Sequence, residues 1–392
     1  MKFRDCRLMK IDVMTKDKDI KTTVPTLRFR EFQNDARWIP NKIDHVCKIG
    51  NGRDYKHLSA GNIPVYGSGG YMTSVDKFLY DGESVCIGRK GTIDKPIFLT
   101  GKFWTVDTLF YTYAFHKCLP KFLYLIFQQI NWYKYNEAGG VPSLLKTTIG
   151  NINIFIPNNE NEQKKIVDCF SSLDDLINAV ADKIETLKEY KKGLMQQLFP
   201  AEGKTTPAFR FPEFQNKGEW EESTLGDICD MQAGKFVSAS EICDVKKDTM
   251  YPCYGGNGLR GYTHSFTHFG IYPLIGRQGA QCGNITYAEG KFHATEHAVV
   301  VTLKKDIDIR WLYYQLIKLD LNQYATGQAQ PGLSVDVIKK VTIRIPKNKN
   351  EQQLIACGLF SVDELISTET AKLDQLKAHK KGLMQQLFPK LQ

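Results

Sequence analysis

YKKGLMQQLFP at 190–200 is written again as HKKGLMQQLFP at 379–389, ten consecutive identical residues from the first lysine onward. Working outward, further matches keep nearly the same offset. PTLRFREFQNDARW (25–38) pairs with PAFRFPEFQNKGEW (207–220), and IPVYGSGG (63–70) with YPCYGGNG (251–258). CIGRKG (86–91) pairs with LIGRQG (274–279), and INIFIPNNENEQKKI (152–166) with VTIRIPKNKNEQQLI (341–355). A period near half of the 392 residues is too long for a solenoid and reads as a duplicated domain followed each time by the same connector.

The connectors read as helices with an apolar seam. In the first, Ile166, Phe170, Leu173, Ile177, Val180, Ile184, Leu187, Leu194 and Leu198 alternate spacings of four and three, broken only by Lys191. The second carries Ile355, Leu359, Val362, Ile366, Leu373, Leu376, Leu383 and Leu387, broken by Glu369 and Lys380. This is the coiled-coil pattern, and a helix of roughly 39 residues spans about 58 Å. Pro200 and Pro389 end both, because proline lacks the amide hydrogen and disfavours helix just before it. Two matching seams on one chain imply an antiparallel pair with pseudo-two-fold symmetry; packing of each helix on its own domain is the alternative.

Composition narrows the function classes. The length calls for at least two domains. The net charge of +9 is uneven: residues 26–157 carry +6, whereas 206–346 are neutral. A mild basic excess is compatible with a polyanion but does not establish one. The ten cysteines are scattered singly with no CxxC pair, which reads as reduced structural thiols. The stretch 121–133 carries Lys121 and Gln128 and does not qualify as a membrane span. The basic N-terminus lacks an apolar core and is not a secretory signal, so a cytoplasmic protein is expected.

Each globular unit reads as mixed α/β. Runs at Ser84–Ile87, Ile93–Leu99, Phe103–Phe115 and Ile152–Ile156 read as strands, with helices near 120–137 and 309–324. Three glycine-rich turn segments recur: YGSGGY/YGGNGLRGY, GRKG/GRQG and AGGVPSL/TGQAQPGL. Between the glycines stand residue types that contact nucleic acid: arginine for guanine or phosphate, glutamine for adenine, serine and tyrosine for phosphate or stacking. Arg89, Lys90, Arg277 and Gln278 are the first candidates, followed by Tyr66, Ser68, Lys235, Arg260, Gln328 and Gln330. The alternative for each is an ordinary solvated hairpin tip.

Other chemistry finds little support. His293-Ala-Thr-Glu296-His297 matches the inverted zinc-protease string, but that string needs a helix. Here it runs into AVVVTL, a strand signature, and aligns with Trp104–Thr108, which has no histidine. No GxxxxGK[ST] loop and no NPPY- or DPPY-like string occurs.

The order of variable domain, IxIP-x4-EQ-x2-I, seamed helix and KKGLMQQLF, then the same again, resembles the specificity subunit of Type I restriction–modification enzymes across essentially the whole chain. SVCIGRKGTI is a further segment of that kind. The resemblance implies an α+β fold: two similar mixed α/β target-recognition domains joined by two long helices pairing as an antiparallel coiled coil. The expected parts are a basic segment 1–23, recognition domains at 24–157 and 201–346, and spacer helices at 158–200 and 347–392. Each domain would read one half of a bipartite site on double-stranded DNA. Two modification (methyltransferase) subunits would bind, with restriction (translocase and endonuclease) subunits joining through them. S-adenosylmethionine, ATP and Mg would then belong to those partners, with no cofactor, metal or catalytic residue in this chain. For the modification subunit, Gly193, Met195, Phe199, Gly382, Met384 and Phe388 are the candidate docking residues; intramolecular core packing is the alternative. Departures from the pattern are the neutral second unit and the unrepeated 1–23. Competing functions are a self-sufficient DNA-modifying enzyme and a non-specific DNA-binding scaffold.

Overall fold

The EQ pair of each connector explains the first repeated motif, because the two motifs latch onto one another. In the computed structural model, which describes residues 9–10, 24–279, 281–327 and 331–390, a 39-residue central helix runs Glu160–Leu198 and a distal one Lys349–Leu387. Near the start of the central helix, Glu162 accepts from Arg28 Nε and Nη2, both at 2.7 Å, and from Trp38 Nε1 at 3.1 Å. Glu351 repeats this with Arg210 Nε and Nη2 (2.7 and 2.8 Å) and Trp220 Nε1 (3.2 Å). The Arg28 and Glu162 side chains are 3% and 1% exposed, a burial tolerable only because the charges are paired and hydrogen-bonded. The neighbouring glutamines complete the latch. Gln163 accepts from Leu119 N and donates to Lys117 O; Gln352 accepts from Asp308 N and donates to Pro346 O.

The chain divides into two compact units, residues 1–181 with 372–392 and residues 182–371. In unit 1 an antiparallel sheet runs in the order Lys48–Asn51, Leu109–Tyr113, Ser84–Gly88, Ile97–Leu99. A mixed sheet runs Gly70–Val75, Ala60–Gly67, Lys102–Thr105, Tyr80–Asp81. A short antiparallel ribbon pairs Ile39–Lys42 with Asn153–Ile156. Unit 2 has the same ribbon as Glu221–Thr224 with Thr342–Ile345. Its remaining strands form one six-stranded sheet: Cys229–Ala233, Ala298–Leu303, His268–Gly276, Ile285–Ala294, Tyr251–Gly255, Gly258–Thr263. The helices expected near 120–137 and 309–324 are shorter α-helices, Pro120–Phe127 and Ile309–Lys318, each followed by a 3-10 turn.

Within each unit, parts of both long helices run antiparallel. Unit 1 sets Phe170 against Phe388, with ring centres 6.2 Å apart, and Asp174 against Lys380 at 2.5 Å. Unit 2 sets Lys191 against Asp363 at 2.6 Å and Lys183 against Glu369 at 2.5 Å. The three charged residues that interrupt the apolar seams, Lys191, Glu369 and Lys380, are therefore members of ion pairs that cross from one helix to the other. The long helices thus pair as expected, and their ends also enter the domain cores.

For three of the candidate docking residues the structure shows the core packing given as the alternative. Phe199 is fully buried against Trp220 and Trp311 (6.3 and 6.1 Å). Phe388 is buried against Trp38 and Phe122 (5.8 and 5.4 Å), and Met384 joins the same core. Burying this much apolar surface stabilises the two cores. Met195 is half-buried against the unit 2 core. At Gly193 and Gly382 an added Cβ would meet nothing within 4 Å among the described residues of the rest of the chain, so the side-chain position of each is open.

Burial pushes the thiols of Cys47, Cys86 and Cys229 up to about 12. No described helix is long and apolar enough to cross a membrane. The readings placed on Met1–Leu8 and residues 11–23 lie outside the described residues; Met9–Lys10 pairs with Leu27–Arg28 as a two-residue ribbon.

Candidate nucleic-acid interface

The run Phe103–Phe115, which reads as one strand, is two strands interrupted at Val106–Thr108. Gly52 permits the interruption: a Cβ there would lie 1.9 Å from Val106 O. The three recurrent turn segments gather on this break. Val106 N donates to Tyr66 O (2.9 Å) and Arg89 N to Thr108 O (2.8 Å). Leu144 N donates to Arg89 O, and Gly91 N to Pro142 O. A cleft of about 550 Å³ is lined by Arg89, Lys90, Asp107, Thr108, Ala138, Val141 and Ser143. A second cleft, lined by Tyr55, Lys56, Ser68, Gly69, Tyr71 and others, shares Asp107 and Thr108 with it. Arg89 and Lys90 are exposed, and Tyr66 and Ser68 are half-buried, with the Tyr66 ring edge-on to Tyr71 at 6.1 Å.

Unit 2 builds the same crossing. Thr295 N donates to Tyr254 O, Arg277 N to His297 O, Leu333 N to Arg277 O and Gly279 N to Pro331 O, all at 2.9 Å. Gln278 bridges Gly332 as Lys90 bridges Ser143. Lys235, Arg260, Arg277 and Gln278 are exposed. Gln328 and Gln330 lie outside the described residues. Of the ten candidates, the structure thus brings Tyr66, Ser68, Arg89 and Lys90 to one surface of unit 1, and Arg277 and Gln278 to the matching surface of unit 2.

The crossing contains residues that sequence reasoning missed. Lys235 was singled out, but its counterpart Arg53 was not. Arg53 N donates to Thr105 O at 2.8 Å, and Trp104 Nε1 donates to Arg53 O at 2.8 Å. In unit 2, Lys235 N donates to Ala294 O, and His293 Nε2 lies 3.0 Å from Lys235 O. His293 therefore does the work of Trp104: Nε2–H donates to the carbonyl, leaving Nδ1 to accept from Ser265 Oγ at 3.0 Å. It lies on the strand Ile285–Ala294, as its sequence context predicts, with both ring nitrogens engaged. Burial holds His268 below the usual histidine range, helped by His293 and Lys235 nearby. The signal that could have found Arg53 was the alignment of WTVDT with HATEH, which sequence analysis used only to weigh a zinc site.

Comparison with known proteins follows the repeat. A family model described as Type I restriction modification DNA specificity domain matches residues 36–189 and again 217–378. The chain is 38% identical over 165 residues to the Type I restriction enzyme EcoprrI specificity subunit of Escherichia coli, covering 42% of this chain and 41% of that one. Over 346 residues it is 27% identical to the Type I restriction enzyme MjaVIII specificity subunit of Methanocaldococcus jannaschii, covering 79% and 77%. Among solved structures, the S subunit of a Type I restriction-modification system from M. genitalium superposes with a TM-score of 0.71 at 18% identity, covering 94% of this chain and all of that one. That likeness is one of fold.

Proposed function

Because the chain belongs to the family of Type I restriction modification DNA specificity domains, we propose that it is the sequence-recognition subunit of a Type I restriction–modification complex. Each unit reads one half of a bipartite site on double-stranded DNA, using the turn segments around Val106–Thr108 and Thr295–His297. The observation that carries this reading is the crossing itself, built twice from matching hydrogen bonds yet lined by different side chains. A catalytic pair would need to keep its chemistry in both copies, or lose it cleanly from one. A reading surface is expected to differ.

In this reading the chain is not itself an enzyme, and its recognition domains are 24–157 and 201–346. Two modification subunits, with S-adenosylmethionine, methylate the target; restriction subunits, with ATP and Mg, join through them, all in the cytoplasm. The open helix flanks at Gly193 and Gly382 are the proposed docking sites for the modification subunits. Methylome sequencing of cells carrying this gene with its modification subunit tests the proposal. It predicts a bipartite motif with a fixed spacer, and exchange of residues 206–346 for those of a relative should change one half only. Methylation or cleavage by the purified chain alone, given S-adenosylmethionine and Mg, would overturn it in favour of a self-sufficient enzyme. Binding without any site preference by the assembled complex would favour a scaffold.

A further inference from the structure

We propose that Asp107 is a base-reading residue, accepting a hydrogen bond from the exocyclic amino group of a cytosine or adenine in the major groove of one half-site. The inference rests on the DNA-recognition reading above. Asp107 stands where the two clefts of unit 1 meet, lining both. It is exposed, as are Arg89, Lys90 and Lys56 on the walls. Those cations leave the acid alone: among the described residues none donates a hydrogen bond to its carboxylate, and Arg89 Nη1 reaches the Asp107 backbone oxygen instead, at 3.4 Å.

An acid in such a place has a cost. Binding to phosphates gains from every cation and loses from every anion nearby, so Asp107 weakens general affinity for DNA. What a carboxylate offers in exchange is selectivity. It accepts and cannot donate. In the major groove cytosine N4 and adenine N6 present donors, whereas guanine O6 and N7 and thymine O4 present acceptors. One carboxylate therefore attracts the first pair of groups and repels the second.

Reading a base edge also requires a fixed backbone. The residues on either side of Asp107 supply it: Val106 N donates to Tyr66 O, Val106 O accepts from Leu109 N, and Thr108 O accepts from Arg89 N. Unit 2 has an acid at the equivalent position but disposes of it differently. Glu296 Oε1 lies 3.2 Å from His297 Nε2, and Oε2 is buried without a hydrogen-bond partner among the described residues. The open acceptor is thus a property of unit 1 and of one half-site.

The test uses the full chain assembled with its modification subunits, and selection from a library randomised at every position of the target. Asp107→Ala should reduce discrimination at a single base pair of one half-site by about 10-fold or more, with the other half-site unchanged. Asp107→Asn, whose amide both donates and accepts, should admit guanine or thymine at that position. Melting curves should be unchanged for both variants, since the side chain is exposed and holds no partner. Uniformly tighter binding to all sequences would mean that Asp107 only repels phosphate, and an unaltered selection would mean that it faces solvent; either result overturns the assignment. A wild-type complex without any preference would instead sink the recognition reading on which it rests.

Discussion

Arg28, Trp38, Glu162 and Gln163 of unit 1 do the same work as Arg210, Trp220, Glu351 and Gln352 of unit 2, whereas at the crossing Lys90, Asp107, Thr108 and Ser143 give way to Gln278, Glu296, His297 and Gly332. Both regions keep their backbone contacts. The latch keeps all of its side chains, because a buried arginine–glutamate pair has one workable geometry and a poor substitute leaves a charge unpaired; the crossing keeps the arginine of Arg89 and Arg277 while the residues around it change. At the crossing most of the hydrogen bonds run through main chain, so most of the side chains there can change without loss of the fold. The overall charge follows the same division, +6 over residues 26–157 and neutral over 206–346.

The most drastic way to break the comparison is to remove one side of it. Residues 1–200 lack Leu383, Met384, Leu387 and Phe388, which fill the core of unit 1. They retain Leu194, Met195, Leu198 and Phe199 in an identical sequence. In a two-fold dimer of this fragment, Phe199 of each copy can take the place of Phe388 in the other, and Lys191 can meet Asp174 as Lys380 does. Such a dimer carries two identical reading surfaces, so with modification subunits it should methylate a palindrome of one half-site. Sedimentation and methylome sequencing check the two steps. A well-folded monomer would show that the two end segments are not interchangeable.

The latch should be the next most sensitive point. Glu162→Ala and Glu351→Ala each strand a buried arginine and remove an acceptor from a tryptophan, with an expected loss of about 3–5 kcal/mol. Denaturant titration measures this directly. Arg277→Ala, on the exposed crossing, should stay within about 0.5 kcal/mol of wild type in the same titration. Its effect belongs to binding: about 1–3 kcal/mol of discrimination at one half-site, with the other intact. An equal loss across all sequences would identify a phosphate contact instead. Latch variants that melt like the wild type would undo the contrast from the other side.

How much of this was legible follows from the same contrast. The duplication, the seams and the prolines that end them are carried by apolar spacing and literal repetition, and both long helices could be read from them. Lys191, Glu369 and Lys380 were legible only as interruptions, since their partners lie more than 170 residues away in the chain. Phe199 and Phe388 stood beside prolines at helix ends and read equally as docking residues or as core, since nothing local announces Trp311 or Phe122. At the crossing, glycine turns gave away the three turn segments. The fourth segment was hidden inside an apparently continuous strand, because the break at Val106–Thr108 is accommodated by Gly52, a residue just past the strand Lys48–Asn51 and more than 50 positions earlier in the chain.

Arg53 and Lys235 provide the finest test of the comparison, since here both the backbone and the charge are kept. Each is an exposed cation whose amide and carbonyl are both tied down, by Thr105 and Trp104 in unit 1 and by Ala294 and His293 in unit 2. A cation retained where its neighbours diverge suits a partner that is the same for every sequence, the DNA backbone. Arg53→Ala should then weaken binding of the assembled complex about equally across all sequences. It should also lower the slope of log K against log salt by roughly 0.9, the loss of one phosphate contact. Lys235→Ala should do the same on its own half-site, because a point charge serves a phosphate as well as a guanidinium does when no bidentate geometry is needed. Titration at several salt concentrations separates the two outcomes. If Arg53→Ala leaves the slope unchanged and relaxes one base position, Arg53 belongs with the side chains that read sequence, and charge retention does not mark the backbone contacts.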